Sequence, residues 1–257
     1  MAIATSITSS RLNRTADTPS EFQRKENVVS EKIIHYCQQA LDDTTFFRTL
    51  QDGNISEELM QYTFLQYQLW RDRLHQWFGL CIVKADSCTD PDQKDALMAL
   101  ADHIFTDLKD DHSEMYVDFL HDIGVTDDDI MATHRSNATI IYEQSFFEDF
   151  GREANHFYEA LAALAGRELC VAIRNQRILT QYFDALGLKR PVWLTLHAEL
   201  ELEHFHDAIR PVLMHYNEDS EPMTNLIQSI QQGIDRHVQY FESLLHEYES
   251  RRTQASM

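Results

Sequence analysis

One short stretch of the chain carries three potential metal ligands at helical spacing. It reads His197-Ala-Glu-Leu-Glu201-Leu-Glu-His204, and in an α-helix the two His and the central Glu project at about 0°, 40° and −20° around the axis. Two imidazoles and one carboxylate therefore leave the same face. All-α proteins build iron sites inside helical bundles from ligands placed in this way. The alternative is a charged surface helix, which the neighbouring acidic residues would also suit.

Further candidate ligands lie upstream of this stretch. Glu168 stands among apolar residues on a long predicted helix, and a carboxylate there is costly unless it binds a metal or pairs with another group. His112 lies near the start of its own predicted helix, and Asp102 precedes it by ten residues. Both side chains could line the same cavity if these helices pack around it. Asp107 is the alternative to Asp102 if the connection between the two helices shifts the register.

Taken together, these residues resemble the haem-oxygenase-like diiron oxidases and oxygenases. The family pattern is a carboxylate, a His about ten positions later, a Glu, and then a helix with His-x3-Asp-x2-His. Asp102, His112 and Glu168 follow this order ahead of the His197 helix. The resemblance covers about residues 60–215. Two acids differ from the usual pattern, because Glu201 stands where Asp is commoner and Asp102 where Glu is commoner.

The resemblance implies an all-α, single-domain haem-oxygenase-like bundle that holds two irons per chain. One iron would be held by His112, Glu168 and either His197 or His204, while the other would share Glu168 and take the remaining carboxylates and His. Glu168, His197 and Glu201 are then expected at the reacting centre. With O2 as co-substrate, such a protein would oxidise a small carboxylate-bearing substrate derived from an amino acid.

Composition independently favours a helical protein. The 257 residues include only 7 Gly and 5 Pro, while 43% are hydrophobic, and scarce helix breakers favour long helices. Apolar periodicity predicts about seven helices in one domain over residues 25–250. We expect disordered tails over residues 1–24 and 251–257. Arg11 and Arg14 in an acid-free N-terminal stretch keep an organellar transit segment as the alternative for the first tail.

The charge of the chain limits its partners. A formal net charge of −20 argues against binding nucleic acid or anionic lipid, since both need a positive surface. No apolar run reaches the roughly 18 residues of a membrane-spanning helix. The four cysteines, Cys37, Cys81, Cys88 and Cys170, form no C-x-x-C pair, which favours reduced thiols over a zinc or disulfide framework. We therefore expect a cytoplasmic protein that acts on a small molecule, either as a monomer or as a homodimer.

A ferritin-like bundle is one rival interpretation. It would use a pair of Glu-x-x-His motifs, Glu153 with His156 and Glu201 with His204, as carboxylate-bridged bundles do. This arrangement leaves His197 without a role and requires two further glutamates on partner helices.

Two other functions use the same architecture without a diiron centre. A thiaminase-like enzyme would need a cysteine nucleophile, for which Cys170, two residues after Glu168, is the candidate. A non-catalytic interaction protein would use only its helix surfaces. The remaining histidines, His103 among them, are interpreted as surface residues or hydrogen-bonded core residues.

Overall fold

Eleven α-helices make up most of the chain that the computed structural model describes, which comprises residues 20–86, 89, 91–109, 111–151, 156–215 and 221–255. The helices are α1 (Glu21–Asp42), α2 (Thr45–Gln51), α3 (Glu57–Arg71), α4 (Leu74–Ile82), α5 (Pro91–Lys109), α6 (His112–Asp122), α7 (Asp127–Ala132), α8 (Asn137–Phe150), α9 (Phe157–Ile178), α10 (Val192–His215) and α11 (Glu221–Ala255). A π-helical segment, Leu179–Asp184, continues α9. These ranges contain no β-strand. The predicted all-α class is confirmed.

The structure has eleven α-helices where the periodicity predicts about seven. Helix α3 ends at Arg71 before α4 begins at Leu74, and α2, α7 and α8 are further separate helices. Capping residues help to account for the last three. The hydroxyl groups of Thr44, Thr126 and Ser136 each accept a hydrogen bond from the backbone N–H three residues later, which stabilises a helix start that apolar periodicity does not detect.

Helix extends into both predicted tails. Ser20 caps α1 through a capping box, in which its hydroxyl accepts from the Gln23 N–H and the Gln23 side chain accepts from the Ser20 N–H. Residues 21–24 are therefore helical, and α11 includes residues 251–255. The rest of the two predicted tails, including the candidate transit segment, lies outside the described residues. Among the described helices, none combines the length and apolarity that crossing a membrane requires.

The central element is α9, which packs against both α10 and α11. Its first half is rich in small residues and almost entirely buried. At the crossing with α11, a Cβ added to Gly166 would lie 2.0 Å from the carbonyl oxygen of Ile230, and one added to Gly233 would lie 2.1 Å from that of Ala163. The two backbones are therefore in direct contact, and glycine is required at both positions.

We predict that Gly166→Ala lowers the free energy of unfolding by about 1–3 kcal/mol or more, because the added methyl group must push two helix backbones apart. Gly79→Ala is the matched control, since Gly79 is helical and a Cβ there meets nothing within 4 Å. That control should be neutral or stabilising by up to about 1 kcal/mol. Urea unfolding followed by circular dichroism measures both changes, and equal stability of the two variants would contradict the close crossing.

Candidate metal centre

Three helices bring two groups of metal-ligating side chains together in the interior. Within each group all of the ligand atoms lie within 4.8 Å of one another. The first group is His103, Glu201 and His204, and the second is Asp107, His112 and His197. Helix α5 supplies His103 and Asp107, α6 supplies His112, and α10 supplies the other three.

The pairing of α5 with α6 depends on a sharp turn between them. Asp111 adopts a left-handed conformation with φ of 51°, which costs a non-glycine residue about 1–2 kcal/mol. The turn places His112 at the first position of α6. Its Nδ1 then lies 2.6 Å from Oδ1 of Asp107 on α5. The strained backbone conformation of Asp111 therefore lies next to the point where His112 meets Asp107.

The three ligands on α10 share one face, as their spacing predicts. The Nδ1 of His197 lies 2.8 Å from the carbonyl oxygen of Trp193. Because a carbonyl oxygen only accepts, Nδ1 must carry the proton, and the Nε2 lone pair is free to bind a metal. His204 Nδ1 lies 2.7 Å from Glu201 Oε2. Both imidazoles are thus oriented by partners on their own helix.

Glu168 on α9 lies between the two groups. Its carboxyl group hydrogen-bonds with that of Glu201, and its ionisation is also influenced by His204 of one group and Asp107 of the other. Burial, followed by the adjacent Glu201 carboxylate, raises the pKa of Glu168 well above its usual value. The raised pKa favours the protonated form of the Glu168 carboxyl group, in which it donates a hydrogen bond to Glu201. A bound cation would replace that proton.

The charge states of the other ligands also suit a cation. Burial, reinforced for His103 by His204, lowers the pKa of His103 and of His197 to about 3, so both imidazoles are neutral, which is the form that binds metals. Burial raises the pKa of Glu201 to about 7. Burial opposes ionisation of Asp107, but the hydrogen bond and charge of His112 outweigh it and lower the pKa of Asp107.

The donor set fits iron. Imidazole nitrogens and carboxylate oxygens together suit Fe(II) and related divalent metals. The rings of His103 and His204 stack with centroids 3.6 Å apart, an arrangement that two imidazolium cations would not tolerate. The donor atoms of each group also lie within 4.8 Å of one another, close enough to bind one cation.

Two cavities meet at Glu168. The larger, about 480 Å³, also reaches Asp107, His197 and Glu201 and has walls of aromatic side chains. These aromatic residues are Tyr67, Trp70, Tyr142, Phe146 and Trp193. The smaller, about 340 Å³, reaches His103 and His204 and is lined mainly by alanine and leucine. The candidate centre is therefore bordered by one cavity on each of two sides.

Asp102 does not join either group. Its side chain is exposed. Asp107, the alternative carboxylate, is the acid of α5 that lies with His112 and His197. Helical geometry explains the difference: Asp102 is one residue from His103, about 100° around the axis, whereas Asp107 is four residues away, about 40° around. The sequence interpretation also missed His103. The His103-x3-Asp107 spacing could have indicated it.

The rival sequence motifs receive little support. Glu153 of the ferritin-like pair lies outside the described residues, and His156 is exposed at the N-cap of α9. Cys170, the candidate nucleophile, is fully buried and hydrogen-bonds with Cys37 of α1. It lines neither of the two cavities that meet at Glu168. The described cysteines Cys37, Cys81 and Cys170 are free thiols, and Cys88 is outside the described residues.

The helical bundle and its buried groups of His and carboxylate side chains place this protein among candidate all-α metalloproteins. Within that class, a family model of iron-containing redox enzymes matches residues 61–242, and the chain belongs to this family. The match spans α9, α10 and most of the other helices of the bundle. No curated protein matches the sequence.

Solved structures with the same fold come from diverse organisms. A Shewanella denitrificans domain of unknown function with a haem-oxygenase-like fold superposes with a TM-score of 0.70 at 13% identity, covering 88% of this chain and 94% of that one. A TenA homologue from Pseudomonas syringae gives 0.68 at 14% identity, covering 85% and 93%. A CADD-like protein of unknown function from Nostoc punctiforme gives 0.65 at 16% identity, covering 89% and 97%. The predicted haem-oxygenase-like fold is confirmed.

We predict that Asp107→Asn weakens Fe(II) binding by at least about tenfold, the range seen when even outer partners of ligands are lost. Asp102→Asn should keep wild-type binding, because Asp102 is exposed one position from His103 on the same helix. Iron per chain, measured by mass spectrometry after anaerobic loading and desalting, compares the two variants. Equal loss of iron in both would contradict the assignment of Asp107.

We also predict a pH dependence of stability in the metal-free protein. The folded pKa of Glu201, about 7, lies above its ordinary value of 4.5. Between these values the folded state holds a proton that the unfolded state has lost, so rising pH favours unfolding. His103 and His197 act in the opposite direction, but only below their ordinary pKa of 6.5. Glu168, whose pKa is also raised, adds to this slope, so the melting temperature should fall as the pH rises from 6.5 through 7 and beyond.

The dependence on Glu201 is tested by substitution and by adding metal. Glu201→Gln should flatten the fall in melting temperature, whereas Glu203→Gln, at an exposed position on the same helix, should keep the wild-type slope. Added Fe(II) should stabilise the protein more at pH 8 than at pH 6.5, since binding requires deprotonated carboxylates. Identical slopes in the two variants would show that Glu201 does not carry the effect.

Proposed function

We propose that this protein is a non-haem diiron oxidase that uses O2 to oxidise a small carboxylate-bearing substrate derived from an amino acid. The observation that carries the proposal is the pair of buried ligand groups with Glu168 between them. Membership in the family of iron-containing redox enzymes supports iron as the metal. The partner would be a small molecule rather than nucleic acid or membrane, and the proposed location is the cytoplasm.

Seven side chains would hold the two irons. One iron would take His103, Glu201 and His204, and the other would take Asp107, His112 and His197, with Glu168 shared between them. Ferrous iron with open coordination positions supplies the activation of O2. The protein supplies ligands of fixed tautomer and a cavity with mostly aromatic and apolar walls that limits access of water.

The proton shared by Glu168 and Glu201 has a defined role in this proposal. In the metal-free protein it prevents two buried carboxylates from repelling each other. Loading of the metals would release it, and the two carboxylates would then be ligands. Trp193 would hold the His197 ring in place throughout, because its backbone carbonyl accepts from Nδ1.

Anaerobic loading with Fe(II) followed by exposure to O2 tests the proposal. We expect two irons per wild-type chain and O2 consumption that increases when the correct small acid is present. His197→Ala should lower both iron content and the rate of O2 consumption, by about tenfold or more. His206→Ala on the same helix is the control, because His206 is partly exposed and pairs with Glu26 at 3.6 Å.

The two assays separate the parts of the proposal. A wild-type protein that binds no iron would overturn it entirely. Iron binding without any O2 consumption, across a panel of small acids, would overturn the oxidase activity while leaving a metal-binding protein.

A further inference from the structure

We propose that Arg71 binds the carboxylate of the substrate and that the larger cavity selects small acids with an apolar or aromatic remainder. This inference rests on the proposed function and assigns its substrate site. Arg71 is the last residue of α3, and its side chain lines the same cavity as Asp107, His197 and Glu201. A carboxylate held there would lie beside the candidate metal ligands.

The guanidinium group of Arg71 is buried, its charge acts on Asp107 and Glu201 in the same cavity, and its direct contacts with other polar groups are long. The residue is only 8% exposed. Within the described part of the chain, its one ion pair is with Asp72, at 3.8 Å, and that carboxylate is half exposed. Its hydrogen bond to the hydroxyl of Ser113 is long, at 3.5 Å. Burying a cation with only these weak contacts is costly. A substrate carboxylate could reduce this cost, because a guanidinium group binds a carboxylate through two parallel hydrogen bonds.

Aromatic rings fix the position of this cation. The guanidinium carbon lies 5.1 Å from the centre of the Tyr116 ring and 5.9 Å from that of Trp193, within the range of cation–π attraction. The Trp193 ring is in turn 4.6 Å from the ring of His197. Arg71 is therefore held near a candidate metal ligand before any substrate arrives, which lowers the entropic cost of binding.

The other two buried arginines nearby are less well placed to meet an anion in this cavity. Arg167 lines the cavity, but it pairs with the buried carboxylate of Asp149 and donates to Ser145. Arg174 is fully buried and donates to the hydroxyl of Tyr67, and it does not line this cavity. Arg71 is therefore the cation best placed to receive an anion from the cavity.

The rest of the cavity indicates the rest of the substrate. Beyond the ligand side, its walls are mainly apolar or aromatic, including Trp70, Leu74, Phe146 and Val171. Such walls favour a hydrocarbon or aromatic group. A small acid with an aromatic ring satisfies both ends of the cavity.

Charge balance in the metal-loaded centre also favours an anion. Two ferrous ions carry four positive charges, whereas Asp107, Glu168 and Glu201 supply three negative charges. Arg71 adds a fifth positive charge, so two positive charges remain uncompensated in a buried site. A bound carboxylate reduces this excess at low dielectric. Loading with iron should therefore strengthen the binding of acids more than the binding of neutral analogues.

Calorimetric titration with 3-phenylpropanoate and its neutral amide, 3-phenylpropanamide, tests the inference. With anaerobic, Fe(II)-loaded wild-type protein, we expect the acid to bind about tenfold or more tightly than the amide, as a charge-assisted hydrogen bond provides. Arg71→Gln should remove this preference, and Arg71→Lys should restore part of it. Arg73→Gln is the control, because Arg73 pairs with Glu143 at 3.1 Å and is more exposed.

The possible results separate this inference from the proposed function. Failure to bind iron would overturn the diiron proposal, whereas iron binding with an unchanged acid preference in Arg71→Gln would overturn only the role of Arg71. If wild-type protein binds neither probe, the assigned substrate class is wrong. Circular dichroism of each variant verifies folding, and Arg71→Lys keeps the test valid if Arg71→Gln does not fold.

Discussion

The hydrogen bond between the carboxyl groups of Glu168 and Glu201 is the contact on which the candidate centre depends. Two adjacent buried carboxylates repel each other when both are ionised and no cation is bound, and burial raises the pKa of both. In the metal-free protein a shared proton removes that repulsion. The side chains around the pair, namely four imidazoles and the Asp107 carboxylate, form a set in which metal ions could replace the proton.

The packing of α9 makes this contact possible. Gly166 lies two residues before Glu168, and its lack of a side chain lets α9 and α11 touch backbone to backbone. On its other side α9 packs against α10, so that Glu168 meets Glu201. A buried carboxyl group on a central helix would be a source of instability in an ordinary core. Its presence here is understandable only together with the ligands on the neighbouring helices.

The fold alone does not decide the activity. Structures that share this fold with 13–16% identity include a TenA homologue and proteins of unknown function, and one architecture supports different chemistries. The site of this chain combines two ligand groups with Glu168 beside both, a cavity with aromatic walls, and the buried cation Arg71 at its edge. The fully buried Cys170 provides no comparable site for a thiol nucleophile.

The sequence by itself determined the features that depend on local geometry. The spacing of His197, Glu201 and His204 placed them on one face because a helix repeats every 3.6 residues, and scarce glycine and proline indicated the all-α class. Tertiary structure decided the rest. Whether Asp102 or Asp107 faces the interior, and whether His103 does, depends on the rotation of α5 against its neighbours, which apolar periodicity resolves only within a residue or two. The turn at Asp111 and the burial of Arg71 arise from packing between helices distant in the chain, so no local pattern could reveal them.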